Sequence, residues 1–83
     1  MNEKYEWNGA YEEIRFREGQ ATIRITREAI EDFFQLSGKP GEAEVNFVAN
    51  QHWYRSIAKE LAEGSPNEPE IIISEPVLQQ YRK

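Results

Sequence analysis

Residues 11–26 read YEEIRFREGQATIRIT, and this stretch decides the fold class. Apolar and polar side chains alternate in residues 11–16 and again in residues 21–26, which is the pattern of two half-buried β-strands. Glu18-Gly19 between them predicts a two-residue hairpin loop, in which the glycine takes the positive φ that such turns require. The stretch therefore predicts an antiparallel hairpin with one apolar face.

The position of the loop also predicts which residues of the hairpin face each other. The expected pairs are Phe16–Ala21 and Ile14–Ile23 on the apolar face, and Glu13–Arg24 and Arg15–Thr22 on the polar face. Apolar side chains then match apolar ones and an acid matches a base, whereas a slip by one residue breaks both matches.

A short strand is expected before the hairpin. Asn8-Gly9 is a strong signal for a two-residue turn, which would pair Trp7 with Ala10. The strand would place Trp7 on the same face as Ile14.

Two helices are expected after the hairpin. Thr26 is a good N-cap for a helix over about 27–37, and Gly38 is expected to end it as the residue after the C-cap. Apolar residues at helical spacing then predict one longer helix over about 41–63.

A final strand and a tail complete the chain. Ile71-Ile72-Ile73 is a clear β run, and residues 77–83 form one helical turn or fray. The element order is (β)-β-β-α-α-β in a single domain over residues 1–83. We expect an α+β fold in which two helices pack on one face of a small, mainly antiparallel sheet.

The composition excludes several classes of function. The chain has 83 residues, a net charge of -5 and no cysteine. The absence of cysteine excludes disulfides, thiolate catalysis and zinc fingers, and it favours a cytoplasmic location. No apolar run is long enough for a signal peptide or a membrane span, so no membrane partner is expected. The negative charge makes nucleic acid an unlikely partner.

The pattern of apolar residues resembles the YrdB-like family of short bacterial proteins of unknown function (domain of unknown function 1488). The residues that carry this resemblance are Trp7, Ile14, Phe16, Ile25, Thr26, Glu28, Ala29, Ile30, Phe47, Tyr54, Ala58 and Leu61. The chain departs from the family where relatives have a His-Arg pair, because it has Asn50-Gln51 there. The resemblance implies the fold and a bacterial source, and it implies no activity.

Residues for catalysis or cofactor binding are scarce. His52 is the only histidine, and it is expected on the outer side of the second helix without metal-ligating neighbours. The serines lie in no nucleophile-elbow pattern, and the glycines lack the spacing of a phosphate-binding loop. We therefore predict that the protein is not an enzyme and binds no cofactor or metal.

Five residues form the candidate interaction surface: Arg15, Arg17, Arg24, Trp53 and Ile72. The arginines share one sheet face, which is either a solvated face with cross-strand ion pairs or a surface for an anion or a second copy. Trp53 either covers the edge of the core or anchors a partner. Ile72 is expected on the arginine face, where a second copy, or Val77 or Leu78 of the tail, would cover it.

These features predict a small bacterial interaction or regulatory module without catalysis. Its protein partner is unknown from the sequence, and a homodimer is expected because so short a chain gains stability by burying more surface. The alternative is weak binding of nucleic acid or another anion through Arg15, Arg17 and Arg24.

Overall fold

The computed structural model describes residues 4–82, and Met1–Glu3 and Lys83 lie outside the described residues. The described elements are β1 (Glu6–Asn8), β2 (Glu13–Glu18), β3 (Ala21–Thr26), α1 (Arg27–Phe34), α2 (Glu42–Ala49), α3 (Gln51–Gly64), β4 (Glu70–Ile73) and α4 (Glu75–Gln80). This is an α+β fold, as the sequence predicts. It differs from the expected order in two places, because the long helix is divided into α2 and α3 and the tail forms α4.

The four strands make one mixed sheet in the order β1-β2-β3-β4. The first three strands are antiparallel, and β4 runs parallel to β3 with Ile71 beside Ile23 and Ile73 beside Ile25. The sheet is therefore mainly antiparallel, and β1 and β4 form its two edges. The helices α1 and α3 pack on the apolar face of the sheet, and the opposite face carries no helix of the described residues.

The hairpin between β2 and β3 is confirmed, but its predicted register is wrong. Glu18 pairs with Ala21, so the loop is Gly19-Gln20 and Phe16 lies opposite Ile23. Gly19 has the expected positive φ, 61°, and it occupies the first loop position, where a type II′ turn requires it. The expected loop would instead need a positive φ at Glu18. Because the register moves by two residues, every side chain keeps its predicted face.

The turn between β1 and β2 is longer than predicted. Asn8 pairs with Glu13 rather than starting a two-residue turn, so four residues connect the strands. The Asn8 side chain shapes this connection, since its Oδ1 accepts a hydrogen bond of 3.0 Å from the backbone N–H of Tyr11. Glu12 then takes a positive φ of 50°. Trp7 lies opposite Ile14, on the face that the sequence predicts.

The ends of the helices differ in part from those expected. Thr26 is the N-cap of α1, as predicted, and its Oγ1 accepts a hydrogen bond of 3.1 Å from the N–H of Ala29. The helix ends before Gly38, because Gln35 adopts the left-handed conformation at its C-cap. The expected single helix is interrupted at Asn50, whose φ of -116° and ψ of 27° are not helical.

The core lies between the apolar sheet face and the helices. Its buried residues are Ile14, Phe16, Ala21, Ile23, Ile25, Ala29, Ile30, Ala43, Phe47, Tyr54, Ile57, Ala58, Ile73 and Leu78. Phe33, Phe34 and Leu61 pack against the margin of this core as partly buried residues. Phe47 is fully buried between Phe16 and Tyr54, with ring centroids 5.7 and 5.2 Å away.

The tail covers the helical layer rather than the open sheet face. Helix α4 packs against α1, and Leu78 is buried in the core. Ile72 remains 52% exposed. The expected cover of Ile72 by Val77 or Leu78 is therefore wrong, because β4 leads directly into α4 on the side of the core.

Phe47→Ala should lower the free energy of unfolding by about 3–5 kcal/mol, because it removes a fully buried ring and leaves a cavity. Urea unfolding followed by circular dichroism measures this loss. Val45→Ala is the matched control in the same helix, since Val45 is 69% exposed, and it should stay within about 0.5 kcal/mol of the wild type. Equal stabilities of the two variants would contradict the packing of α2.

Gly19→Ala should cost roughly 1 kcal/mol or more, because φ at Gly19 is 61° and a side chain disfavours the left-handed region. No atom lies within 4 Å of the added Cβ, so the cost comes from the backbone alone. Gly64→Ala, at the end of α3, is the control and should be neutral or stabilising. Thermal unfolding of both variants tests this contrast, and an undiminished melting temperature for Gly19→Ala would count against the turn.

Candidate interaction surface

The sheet face opposite the helices, called the open face below, is built by alternation along the strands. Odd-numbered residues of β2 and even-numbered residues of β3 and β4 point to it. Its central residues are Glu13, Arg15, Arg17, Thr22, Arg24, Glu70 and Ile72. Charged side chains therefore occupy most of a surface whose other side is apolar.

Glu13 is the centre of the open face and is only 1% exposed. Its carboxylate accepts two hydrogen bonds from Arg24, one of 2.7 Å from Nε to Oε2 and one of 2.9 Å from Nη2 to Oε1. Nε of Arg15 donates to the same Oε2. Two guanidinium groups thus share one buried carboxylate, an arrangement of charge-assisted hydrogen bonds that fixes both arginines.

The two arginines keep Glu13 ionised. Burial by itself raises the pKa of the Glu13 carboxyl, because desolvation disfavours the charged form. The hydrogen bonds and positive charges of Arg24 and Arg15 outweigh this effect and lower the pKa below its usual value. The carboxylate therefore lacks the raised pKa that a general acid at neutral pH requires.

Tyr11 covers this ion pair from the loop between β1 and β2. The centre of its ring lies 5.4 Å from Cζ of Arg15 and 5.6 Å from Cζ of Arg24, within the range of cation–π contacts. Tyr11 is 65% exposed. Tyr11, Arg15 and Arg24 with Glu13 beneath them are called the tyrosine–arginine cluster.

Arg24 also links the cluster to the far edge of the sheet. Its Nη1 donates a hydrogen bond of 3.0 Å to Oε1 of Glu70 in β4. Ile72 lies on the arginine face, as the sequence predicts, and the structure places it directly beside Arg24 in the neighbouring strand. One row across the sheet therefore joins Arg15, Arg24 and an exposed isoleucine.

Four of the five predicted surface residues share the open face, and the fifth does not. Arg17 lies at the hairpin end of this face, where its Nη2 donates a hydrogen bond of 3.2 Å to the carbonyl of Gln20. Trp53 is on α3 in the helical layer. Its ring stacks on Phe33 at 5.4 Å and meets Phe34 at 5.8 Å, so it covers the edge of the core.

Two members of the surface were missed by sequence reasoning. Tyr11 was read as the start of a strand, so its position above the arginines was not expected. The signal was Asn8, whose side chain can hold a longer turn that brings Tyr11 back over the sheet. Glu70 was missed because the parallel pairing of β4 with β3 was not predicted.

The helical layer offers other features that the sequence singled out. His52 is exposed on α3, as expected, and Val45 and Val48 are exposed on α2. Within residues 4–82, no three His, Cys, Asp or Glu side chains are arranged to hold a metal ion. Within the same range, no helix is both long and apolar enough to cross a membrane.

Comparisons with protein families, curated proteins and solved structures find no match to this chain.

Glu13→Gln should destabilise the protein by about 2 kcal/mol at pH 7, because it removes the charge that two arginines share while keeping the shape of the side chain. Since the pKa of Glu13 is lowered in the folded state, its stabilisation is present above the unfolded value of about 4.3 and is lost as the pH falls through the folded value.

As the pH is lowered below about 4.3, the free energy of unfolding of the wild type should therefore decrease, and that of Glu13→Gln should decrease less steeply. Denaturant titrations between neutral and acidic pH measure both slopes. Glu68→Gln, at an exposed loop position, is the control and should follow the wild type. Parallel curves for Glu13→Gln and the wild type would contradict an ionised Glu13 in this position.

Proposed function

We propose that this chain is a non-catalytic protein-interaction module that binds a partner protein through the tyrosine–arginine cluster on its open face. The observation that supports this proposal is the exposed Tyr11 ring over two arginines that a buried carboxylate holds in place. Tyrosine and arginine are the residue types that dominate binding energy at protein interfaces. Because their positions are fixed before binding, the entropy lost on association is small.

The chemistry of the cluster also suggests which partner fits. Arg24 uses its Nε and both Nη atoms on Glu13 and Glu70, whereas Arg15 uses only its Nε within residues 4–82. The Arg15 Nη groups are therefore available to a carboxylate or backbone carbonyl of a partner. The exposed ring of Tyr11 beside them suits an apolar or aromatic side chain.

The remaining sequence-based expectations stay part of this proposal. A cytoplasmic location rests on the absence of cysteine. A bacterial source and membership of the YrdB-like family rest on the resemblance of the core pattern. None of these expectations bears on the geometry of the open face.

Binding of nucleic acid through Arg15, Arg17 and Arg24 is the weaker alternative. Glu13 and Glu70 compensate the charge of Arg24, and the whole chain carries a net charge of -5. A phosphate backbone would have to compete with both carboxylates. A salt titration with short RNA and DNA tests this alternative, since phosphate contacts weaken steeply with salt.

Tyr11→Ala should strongly reduce capture of the partner, because it removes the exposed ring and uncovers the arginines. The wild type and the variant are immobilised in parallel, and the proteins captured from a bacterial lysate are quantified by mass spectrometry. Val45→Ala is the matched control, because Val45 is equally exposed but lies on α2.

The proposal requires a set of proteins that both the wild type and Val45→Ala capture. Tyr11→Ala should capture at least about tenfold less of these proteins, which is the loss expected when a residue of modest binding energy is removed. Identical capture by all three would contradict a binding role for the open face. Circular dichroism of Tyr11→Ala verifies that the fold is kept.

A further inference from the structure

The free edge of β4 combines open backbone groups with an exposed apolar side chain. The backbone N–H of Thr22 donates a hydrogen bond of 2.8 Å to the carbonyl of Pro69. In a parallel ladder, alternate residues bond to the same neighbour, so Ile71 and Ile73 face β3. Glu70 and Ile72 therefore direct their N–H and C=O groups towards the free edge.

The side chains of the same two residues leave this edge accessible. Glu70 is 51% exposed at its side chain and Ile72 is 52% exposed, both on the open face. Exposed strand edges pair readily with other strands, and proteins usually protect them with charges, prolines or a covering element. In β4, Glu70 is the only charged residue, and three isoleucines follow it.

We propose that β4 is a docking edge for a second copy of this chain, with the two β4 strands antiparallel about a two-fold axis at Ile71. In this arrangement, Glu70 of one copy and Ile72 of the other form a hydrogen-bonded pair, and the reverse pair follows by symmetry. All the outward backbone groups of Glu70 and Ile72 then have partners. The sheet becomes continuous across eight strands, four from each copy.

Two features favour this register over one centred on Ile72. A pairing centred on Ile72 would need Ser74 opposite Glu70, and the Ser74 carbonyl already accepts a hydrogen bond of 3.1 Å from the N–H of Leu78. In the proposed register, the two Ile71 side chains meet instead at the axis on the helical side. They form a non-hydrogen-bonded pair, in which side chains approach most closely.

Charge complementarity identifies a second copy as the occupant. One row of side chains on the open face runs from Arg24 to Ile72 and on to Glu70 of the second copy. The two-fold axis generates a second row with the same three residues in the opposite direction. The stem of each Glu70 covers the Ile72 of the other copy, and its carboxylate approaches the arginine beyond. Each Glu70 then lies between the Arg24 of its own chain, to which it is hydrogen-bonded at 3.0 Å, and the Arg24 of the other copy, so acidic and basic side chains alternate across the two edge strands.

This dimer goes beyond the proposed function, because it uses the backbone edge of β4. The tyrosine–arginine cluster lies over β2 and β3 and stays exposed in the dimer. The two inferences therefore fail separately: Tyr11→Ala tests the cluster, and the variants below leave Tyr11 in place.

Sedimentation tests whether the edge drives association. The wild type is expected to show a concentration-dependent monomer–dimer equilibrium at micromolar concentrations. Ile72→Thr keeps a β-branched side chain but removes apolar surface at the edge, and it should raise the dimer dissociation constant at least about tenfold. Val45→Thr, which likewise replaces an exposed β-branched apolar residue by threonine but lies on α2, should leave the constant unchanged. A monomeric wild type, or equal effects of the two variants, overturns the proposal.

Cysteine cross-linking tests the register, since the natural chain contains no cysteine. In Ile71→Cys, the two thiols lie across the axis at a spacing that permits a disulfide, so mild oxidation should give a covalent dimer rapidly. Glu70→Cys places its thiols on diagonal positions and should cross-link more slowly. The fastest reaction at Ile72→Cys would overturn the proposed register, and a rate for Ile71→Cys no higher than that for Val45→Cys would overturn the dimer.

Discussion

The buried carboxylate of Glu13 is the interaction on which the open face depends. A sheet with helices on one side normally leaves its other side to solvent, yet this glutamate is buried there. An ionised group can remain in such a position only when it is paired and fully hydrogen-bonded. Arg15 and Arg24 meet this need, and the tyrosine above them completes the cover.

The ion pairs that begin at Glu13 link three strands, whereas each set of backbone hydrogen bonds in the sheet links only two neighbouring strands. Glu13 belongs to β2, Arg24 to β3, and Glu70, the second acceptor of Arg24, to β4. The loop that carries Tyr11 is bonded to the start of α1 next to Glu13, because the N–H of Arg27 donates a hydrogen bond of 2.8 Å to the carbonyl of Glu12. A change at Glu13 is therefore expected to affect the sheet and the proposed binding surface together.

Local patterns in the sequence predicted the strands, the faces and the cap of α1 correctly. Alternation decides which side chains share a face, and this holds for any register that differs by two residues. Glu13 and Arg24 therefore share a face and form an ion pair as expected, although Glu13 lies opposite Thr26 and not opposite Arg24. Gly19 was recognised as the residue with positive φ, whereas the choice between two loop positions depends on the turn type. These features need only short-range information.

The parts that failed are a helix break with no proline or glycine to mark it and a strand pairing between distant residues. Asn50 interrupts the helical pattern without proline or glycine, and its Nδ2 donates a hydrogen bond of 3.0 Å to the carbonyl of Asn46, while Oδ1 of Asn46 accepts from Tyr54. The parallel pairing of β4, in contrast, is non-local, and it brings Glu70 to Arg24 across 46 positions of the chain. Periodicity contains no signal for either arrangement.

The most direct test of this account is the pKa of the Glu13 carboxyl in the folded protein, measured by NMR titration of its side-chain carbon. Two arginines that share an ionised Glu13 predict a value below the ordinary glutamate value of about 4.3. A value at or above it would mean that burial outweighs the arginines. The fixed tyrosine–arginine cluster would then be contradicted, and the proposed binding surface would lose its support.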